Sequence, residues 1–300
     1  MVTNDPSLCL VEIAIEARSP DDRARLADAI AFLSRTEKTR RILVGPESGQ
    51  TIIGGRSVLQ LEHIIDRLRS EFGVAFHAGQ PQVAYRETLG RAATVQHVQR
   101  RSSTETPAHA AVTIRFEPVD TQSEFIFVSA PVSGSIAPDI AGAVERGVRS
   151  AAEGGLIAGF PMIGVKATLL SAEAGDGKAS MNAFETAGRA ALRLAKAETA
   201  PQLLEPIMHV TVTSPHADRE AVLADIKSRR GNVGAGNRQV GQTVITAEVP
   251  LANLLDYEHA LDIALEGRAR AEMHFLRYAP IPREPVPPDD HFPAAAALRA

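Results

Sequence analysis

The sequence predicts an α+β chain in which two βαββαβ units flank a segment of strands followed by helices. Three observations predict it. Short β-branched runs with alternating apolar residues are interleaved with stretches whose apolar residues recur three and four apart. The order strand, helix, two strands, helix, strand occurs near the N-terminus and again near the C-terminus, which is a split βαβ arrangement. Between these repeats the strands come first and the helices follow, the α+β pattern.

In the first segment, Leu8–Ala17 alternates Val11, Ile13 and Ile15 with Glu12 and Glu16 and reads as a half-buried strand. Ser19, Pro20, Asp21 and Asp22 supply an N-cap, a proline at the first helical position and acids in the first turn. Leu26, Ile30 and Leu33 then mark a helix face. Arg41–Val44 and Gln50–Ile53 are strand signals around the turn residues 46–49. Ser57 caps a second helix carrying Leu61, Ile64, Ile65 and Leu68, stopped near Gly73, and Val74–His77 is the last strand. The unit is of ferredoxin type.

In the middle segment Val83–Glu87, Thr94–Gln99, Ala111–Phe116 and Glu124–Val128 read as strands, with the polar stretch Arg100–His109 as a loop. Pro138 opens a helix with Ile140, Val144 and Val148 on one face, ended by Gly154 and Gly155. Ile163–Leu170 is a strand, Glu173–Lys178 a Gly-rich loop and Met181–Lys196 an Ala-rich helix. In the last segment Leu204–Val212 is a strand, interrupted at Pro206 as suits an edge or a strand start. Ala217–Lys227 is a helix with Val222, Leu223 and Ile226 inward. Gly231–Val240 and Thr243–Val249 form a hairpin, Leu251–Ala264 a helix and Ala271–Leu276 a strand, so this unit is ferredoxin-like again. The boundaries expected are 1–79, 80–200 and 201–279, followed by a Pro-rich, extended tail at 280–300 with a short helix at Ala294–Arg299.

Composition narrows the function. A chain of 300 residues with 44% hydrophobic and 23% charged side chains is ordinary for two or three globular domains. Lys and Arg total 32 against 36 Asp and Glu, a net charge of −4, which excludes a uniformly basic coat but not local basic patches. No apolar run reaches the ~18 residues of a membrane span, and residues 1–10 carry no basic segment followed by an apolar one. The single Cys9 forms no internal disulfide. A cytoplasmic protein is expected.

Motifs for chemistry fail at decisive positions. Ala172–Ser180 imitates a phosphate-binding G-x-x-x-x-G-K-[ST] loop, but Ala172 replaces the first glycine and Ala179 the hydroxyl residue. Gly231, Gly234 and Gly236 imitate a dinucleotide fingerprint, but Gln239 stands at the third glycine and a strand follows, not a helix. The nine His form no H-E-x-x-H and no cluster, and no G-x-S-x-G occurs. No catalytic residue, metal site or cofactor is expected, and the chain is not expected to be an enzyme. Basic pairs stand out instead: Arg40 with Arg41, Arg100 with Arg101, Arg229 with Arg230, and Arg268 near Arg270. Arginines at the ends of elements present a planar fork to phosphate, so RNA contact is the chemistry they allow.

Six segments in register resemble one family: Glu47–Gly55, Pro81–Thr88, Leu204–Met208, Arg229–Gly231, Glu248–Leu251 and Gly267–Ala269. Their order and intervals, from about residue 8 to residue 279, resemble the C-terminal half of bacterial elongation factor G. The resemblance implies that the segments are domains III, IV and V. Domains III and V would be ferredoxin-like, and domain IV an α+β unit with a left-handed βαβ crossover. It further implies a ribosome ligand. Domain IV would enter the decoding-side A site in the shape of a tRNA anticodon arm, domain V would lie against ribosomal RNA, and domain III would relay the state of the GTPase domain. The partners implied are the ribosome, ribosomal RNA and ribosomal proteins, with the protein itself a monomer.

Departures from the family are specific. The chain holds no complete G-x-x-x-x-G-K-[ST] and no N-K-x-D, so GTP binding or hydrolysis by this chain is not expected. The family's G-M-G-E-L-H-L-E stands here as Gly55–Glu62 without its Glu and His. A glycine-rich loop of domain IV is replaced by Arg100–His109. At the domain IV tip Gly175 stands for a His, Asp176 is kept and Lys178 replaces an acid. The contact candidates are therefore Arg100, Arg101, Gly175, Asp176, Lys178, Arg229, Arg230 and Arg268. The alternative is a diverged, GTPase-less paralogue acting as a protein-interaction module or translation regulator.

Overall fold

The computed structural model describes residues 9–36, 41–44, 51–101, 108–131, 135–174, 180–234, 237–239 and 241–282. In order the elements are β1 (Val11–Ala17), α1 (Pro20–Thr36), β2 (Arg41–Val44), β3 (Thr51–Gly55), α2 (Val58–Ser70), β4 (Phe76–Ala78), β5 (Gln82–Val83) and β6 (Arg86–Thr88). Then come β7 (Ala93–Arg101), β8 (Ala108–Pro118), β9 (Ile126–Ser129), α3 (Pro138–Glu153), β10 (Val165–Ala174) and α4 (Met181–Thr199). The chain closes with β11 (Gln202–Pro215), α5 (Arg219–Ser228), β12 (Asn232–Val233), β13 (Asn237–Gln239), β14 (Gln242–Pro250), α6 (Tyr257–Ala264) and β15 (Arg270–Pro280). Two compact units result, one of residues up to Ala84 with Glu205–Arg277, the other of Tyr85–Leu204 with the segment from Tyr278 on.

The first unit contains both βαββαβ repeats. In the N-terminal one the strand order is β2-β3-β1-β4, antiparallel, with Ile13 opposite Ile53 and Ile15 opposite Thr51. Val11, Ile13 and Ile15 are buried, as alternation requires, while Glu16 on the other face is exposed. The α1 start is held by Ser19, whose Oγ accepts the Asp22 N–H at 3.0 Å. That hydroxyl, with the Ala75 N–H, keeps the Asp22 carboxyl below the usual carboxylate range. Ser57 caps α2 by accepting the Gln60 N–H, and Leu61, Ile64, Ile65 and Leu68 are buried along one face. The C-terminal repeat has strand order β12-β14-β11-β15, with β13 also on β14.

The second unit centres on a sheet of order β7-β8-β10-β9. Strands β9 and β10 are parallel and joined through α3, a βαβ unit beside two antiparallel pairs. Val112, Ile114, Phe116, Val165, Ala167 and Leu169 point from the sheet into a core closed by α3 and α4. These helices meet at glycine. A Cβ on Gly147 would lie 1.9 Å from the Glu185 carbonyl oxygen, and one on Gly188 2.6 Å from that of Val144. Small residues along both helices (Ala143, Ala151, Ala187, Ala191) permit this approach.

Four expectations change. Val83–Glu87 is not one strand: β5 pairs with β1 in the first unit, and β6 pairs with Gln202–Leu204 in the second. Arg100–His109 is not all loop, because the β7–β8 ladder continues through Arg100 opposite His109 and Arg101 opposite Ala108. Backbone pairing sustains it where polar side chains hide a strand signal. Pro206 does not end or edge β11. It sits between Leu204, the last residue paired with β6, and Ile207, the first paired with β14, inside a strand that continues on both sides of it. Leu251–Ala264 is a short 3₁₀ turn, Leu251–Asn253, and only then α6. Buried Leu251, Leu254, Tyr257 and Leu261 have spacings that imitate one helix, but Leu254 at φ −122° leaves the helical region. The expected turn at 46–49 and the terminal helix at 294–299 lie outside the described residues.

Candidate nucleic-acid interface

Arg229 and Arg230 follow the last turn of α5. The Arg229, Arg230 and Gly231 N–H groups donate to the carbonyls of Asp225, Lys227 and Ile226 at 3.2, 3.1 and 2.9 Å, closing the helix end. Arg230 is in the left-handed region at φ 61°. Gly231 is needed next, since a Cβ there would be 2.5 Å from Ile226 Cγ2 and 2.6 Å from the Ile226 oxygen.

Both guanidinium groups are turned onto the protein. Arg229 Nε lies 3.1 Å from each Asp225 carboxylate oxygen, and its Nη1 donates to the Asn253 carbonyl at 2.9 Å. Asn253 Nδ2 returns a bond to the Arg229 carbonyl at 2.8 Å, and the guanidinium stands 4.8 Å from the Tyr257 ring centroid. Burial, then the nearby Asp225 charge, push the Tyr257 hydroxyl up to about 12, with Arg229 opposing. Arg230 forks onto Glu205, Nη2 to Oε1 at 2.6 Å and Nη1 to Oε2 at 3.2 Å. Side-chain exposure is 25% for Arg229, 31% for Arg230 and 2% for Glu205.

Arg268 is arranged differently. Glu266 and Gly267 take positive φ, 51° and 73°, and turn the chain from α6 into β15. Arg268 Nε donates to the Leu265 carbonyl at 3.1 Å, and Nη1 lies 3.1 Å from Asp218 Oδ2. Its side chain is 49% exposed, so a guanidinium fixed on one edge faces solvent on the other. Of Arg229, Arg230 and Arg268 it is the one whose guanidinium is most open to a phosphate. In the second unit Arg100 and Arg101 lie at the end of β7. Gly175, Asp176 and Lys178 fall outside the described residues, directly beyond the end of β10 at Ala174.

The partners that hold these arginines were not singled out from the sequence. Glu205 carried a signal, because an acid within Leu203–Met208 stands in an apolar strand and a buried carboxylate needs a cation. Asp225 carried one too, standing four residues before Arg229 at the spacing of a helical ion pair. Asn253 and Asp218 carried none, since their roles depend on turns that bring distant segments together.

A cavity of about 460 Å³ in the first unit is lined by Val11, Met208, Leu251, Leu254 and Met273, with charged side chains among its other residues. Its one hydroxyl side chain, Ser57, is committed to capping α2. Among the described residues no group of three or more His, Cys, Asp or Glu could hold a metal ion. No described helix is long and apolar enough to cross a membrane. Among the candidates whose side chains are described, Arg268 keeps a solvent-facing guanidinium edge, while Arg229 and Arg230 are engaged by Asp225 and Glu205.

Comparison with known proteins agrees in order along the chain. Residues 7–80 match the family described as Elongation Factor G, domain III, residues 81–200 that of Elongation factor G, domain IV, and residues 202–287 that of Elongation factor G C-terminus. Among solved structures, a crystal structure of a protein from Thermus thermophilus is 30% identical with a TM-score of 0.67. The match covers 92% of this chain and 41% of that one, so this chain spans less than half of that relative's length.

Proposed function

Because this chain belongs to the elongation factor G family through domain III, domain IV and C-terminal segments in the family's order, we propose that it is a ribosome ligand acting without GTP hydrolysis of its own. The observation that carries the reading is that order, continuous from residue 7 to residue 287 apart from residue 201. The mechanism is steric and electrostatic. The domain IV segment occupies a tRNA-like volume, led by the ends of β7 and β10 with Arg100, Arg101 and the segment containing Gly175, Asp176 and Lys178. Arg268 in the C-terminal segment meets ribosomal RNA. Arg229 and Arg230 shape their turn and add charge at its surface, their principal donors being engaged by Asp225 and Glu205.

Co-sedimentation of the full chain with purified ribosomes tests this. Binding is expected at low salt, weakened as salt rises and reduced by Lys178→Ala and Arg268→Ala. No binding at low salt overturns it, and recovery of one protein partner without ribosomal components would establish the interaction-module alternative in its place.

A further inference from the structure

Glu87 is a carboxylate in an unusual position. It lies in β6, 0% exposed, and its partners are backbone amides. Oε2 accepts the N–H groups of Leu156 at 2.5 Å and Ile157 at 2.8 Å, and Oε1 accepts those of Ala158 at 2.8 Å and Phe160 at 3.2 Å. Four converging N–H groups on a curved segment form a concavity selective for an anion. Gly155 opens it: φ is 65°, and a Cβ there would be 2.5 Å from Glu87 Oε1 and 2.4 Å from the Phe160 oxygen. Glu87 also binds the segment through its backbone, its N–H donating to the Pro161 carbonyl at 3.1 Å and its carbonyl accepting from Ile163 at 2.9 Å.

We infer that Gly155–Phe160 is a backbone anion cradle for a carboxylate, filled in the native chain by Glu87, which thereby positions the connection between α3 and β10. Two arguments carry this. The cradle's donors belong to a connecting segment outside helix and sheet ladders, so without an acceptor they lose the bonds that order it. The acceptor reaches across 69 to 73 residues of sequence, so it is a tertiary clamp and not a local turn. Because Ile163 leads through Gly164 into β10, the clamp also sets where that strand begins. The inference does not depend on ribosome binding.

The test is chemical rescue in the full chain, read by amide hydrogen exchange. In Glu87→Ala, exchange at Leu156, Ile157, Ala158 and Phe160 is expected to accelerate about tenfold or more, with Val112 and Ile114 in β8 unchanged. Excess acetate, but not chloride at equal ionic strength, restores protection by entering the vacated cradle. The parent chain, whose cradle is full, shows no acetate effect. Glu87→Gln keeps the volume but aims an amide NH₂ at N–H donors, so it accelerates exchange and acetate does not reverse it. Should Glu87→Ala be unfolded, acetate-specific recovery of its native circular dichroism is the same rescue. Equal effects of acetate and chloride on Glu87→Ala overturn the inference, as does parent-like protection in Glu87→Gln.

Discussion

At the scale of single residues, adjacent arginines divide into anchors and contacts by what lies behind them. Glu205 is 2% exposed and takes both forks of Arg230, so Arg230→Ala strands a buried carboxylate. A loss of about 2–3 kcal/mol is expected from urea unfolding, below the ~3–5 kcal/mol of a fully buried pair because the arginine is partly solvated. Arg268→Ala should cost under about 1 kcal/mol, its guanidinium being half exposed, while lowering ribosome association. The buried Tyr257 hydroxyl has no hydrogen-bond partner among the described residues. Tyr257→Phe is accordingly expected to be neutral or to stabilise by up to about 1 kcal/mol. The same hydroxyl gives a pH dependence. Raised from 10.0 to about 12 in the folded chain, it holds its proton while the unfolded chain releases its own, so stability is independent of this group below pH 10 and falls as pH rises from 10 towards 12. A flatter fall of the urea midpoint in Tyr257→Phe over that interval checks the sign.

At the scale of elements, most of the secondary structure was legible, and the exceptions share a cause. Strands with apolar alternation (β1, β8) and capped helices (α1, α2, α4) appear where periodicity puts them, because each buries one face. Val83–Glu87 misled because a short strand signal does not reveal which partner each half pairs with. Leu251–Ala264 misled because a 3₁₀ turn and an α-helix bury residues at nearly the same spacing. Helix packing was invisible to periodicity: nothing in an Ala-rich pattern announces that Gly147 touches backbone. Gly147→Ala places a methyl 1.9 Å from the Glu185 oxygen, forcing α3 and α4 apart. A loss of about 2 kcal/mol or more is expected, seen as a lower melting temperature, whereas Gly142→Ala, 3.8 Å from its nearest neighbour, the tip of Arg146, should be neutral or better.

For the whole molecule, the net charge of −4 sets the character of any RNA binding. Attraction must come from a few placed cations against a repulsive background, so affinity should depend on salt only modestly. If about three phosphates are neutralised, the logarithmic salt slope is roughly −2 to −3, and Arg268→Ala should reduce it by about one contact. A slope near zero would mean that Arg100, Arg101, Lys178 and Arg268 touch no phosphate.

The sequence by itself determined the α+β class, the two βαββαβ repeats, the order of segments and the family, because these follow from local periodicity and short ordered motifs. Only the tertiary structure decided that residues 1–84 and 205–277 form one compact unit, that Arg230 faces Glu205 and Arg229 the Asn253 carbonyl, and that Glu87 fills a backbone cradle. The reason is physical. Which polar group satisfies which buried charge depends on distances between segments 20 to 70 residues apart along the chain, and no local pattern encodes a distance.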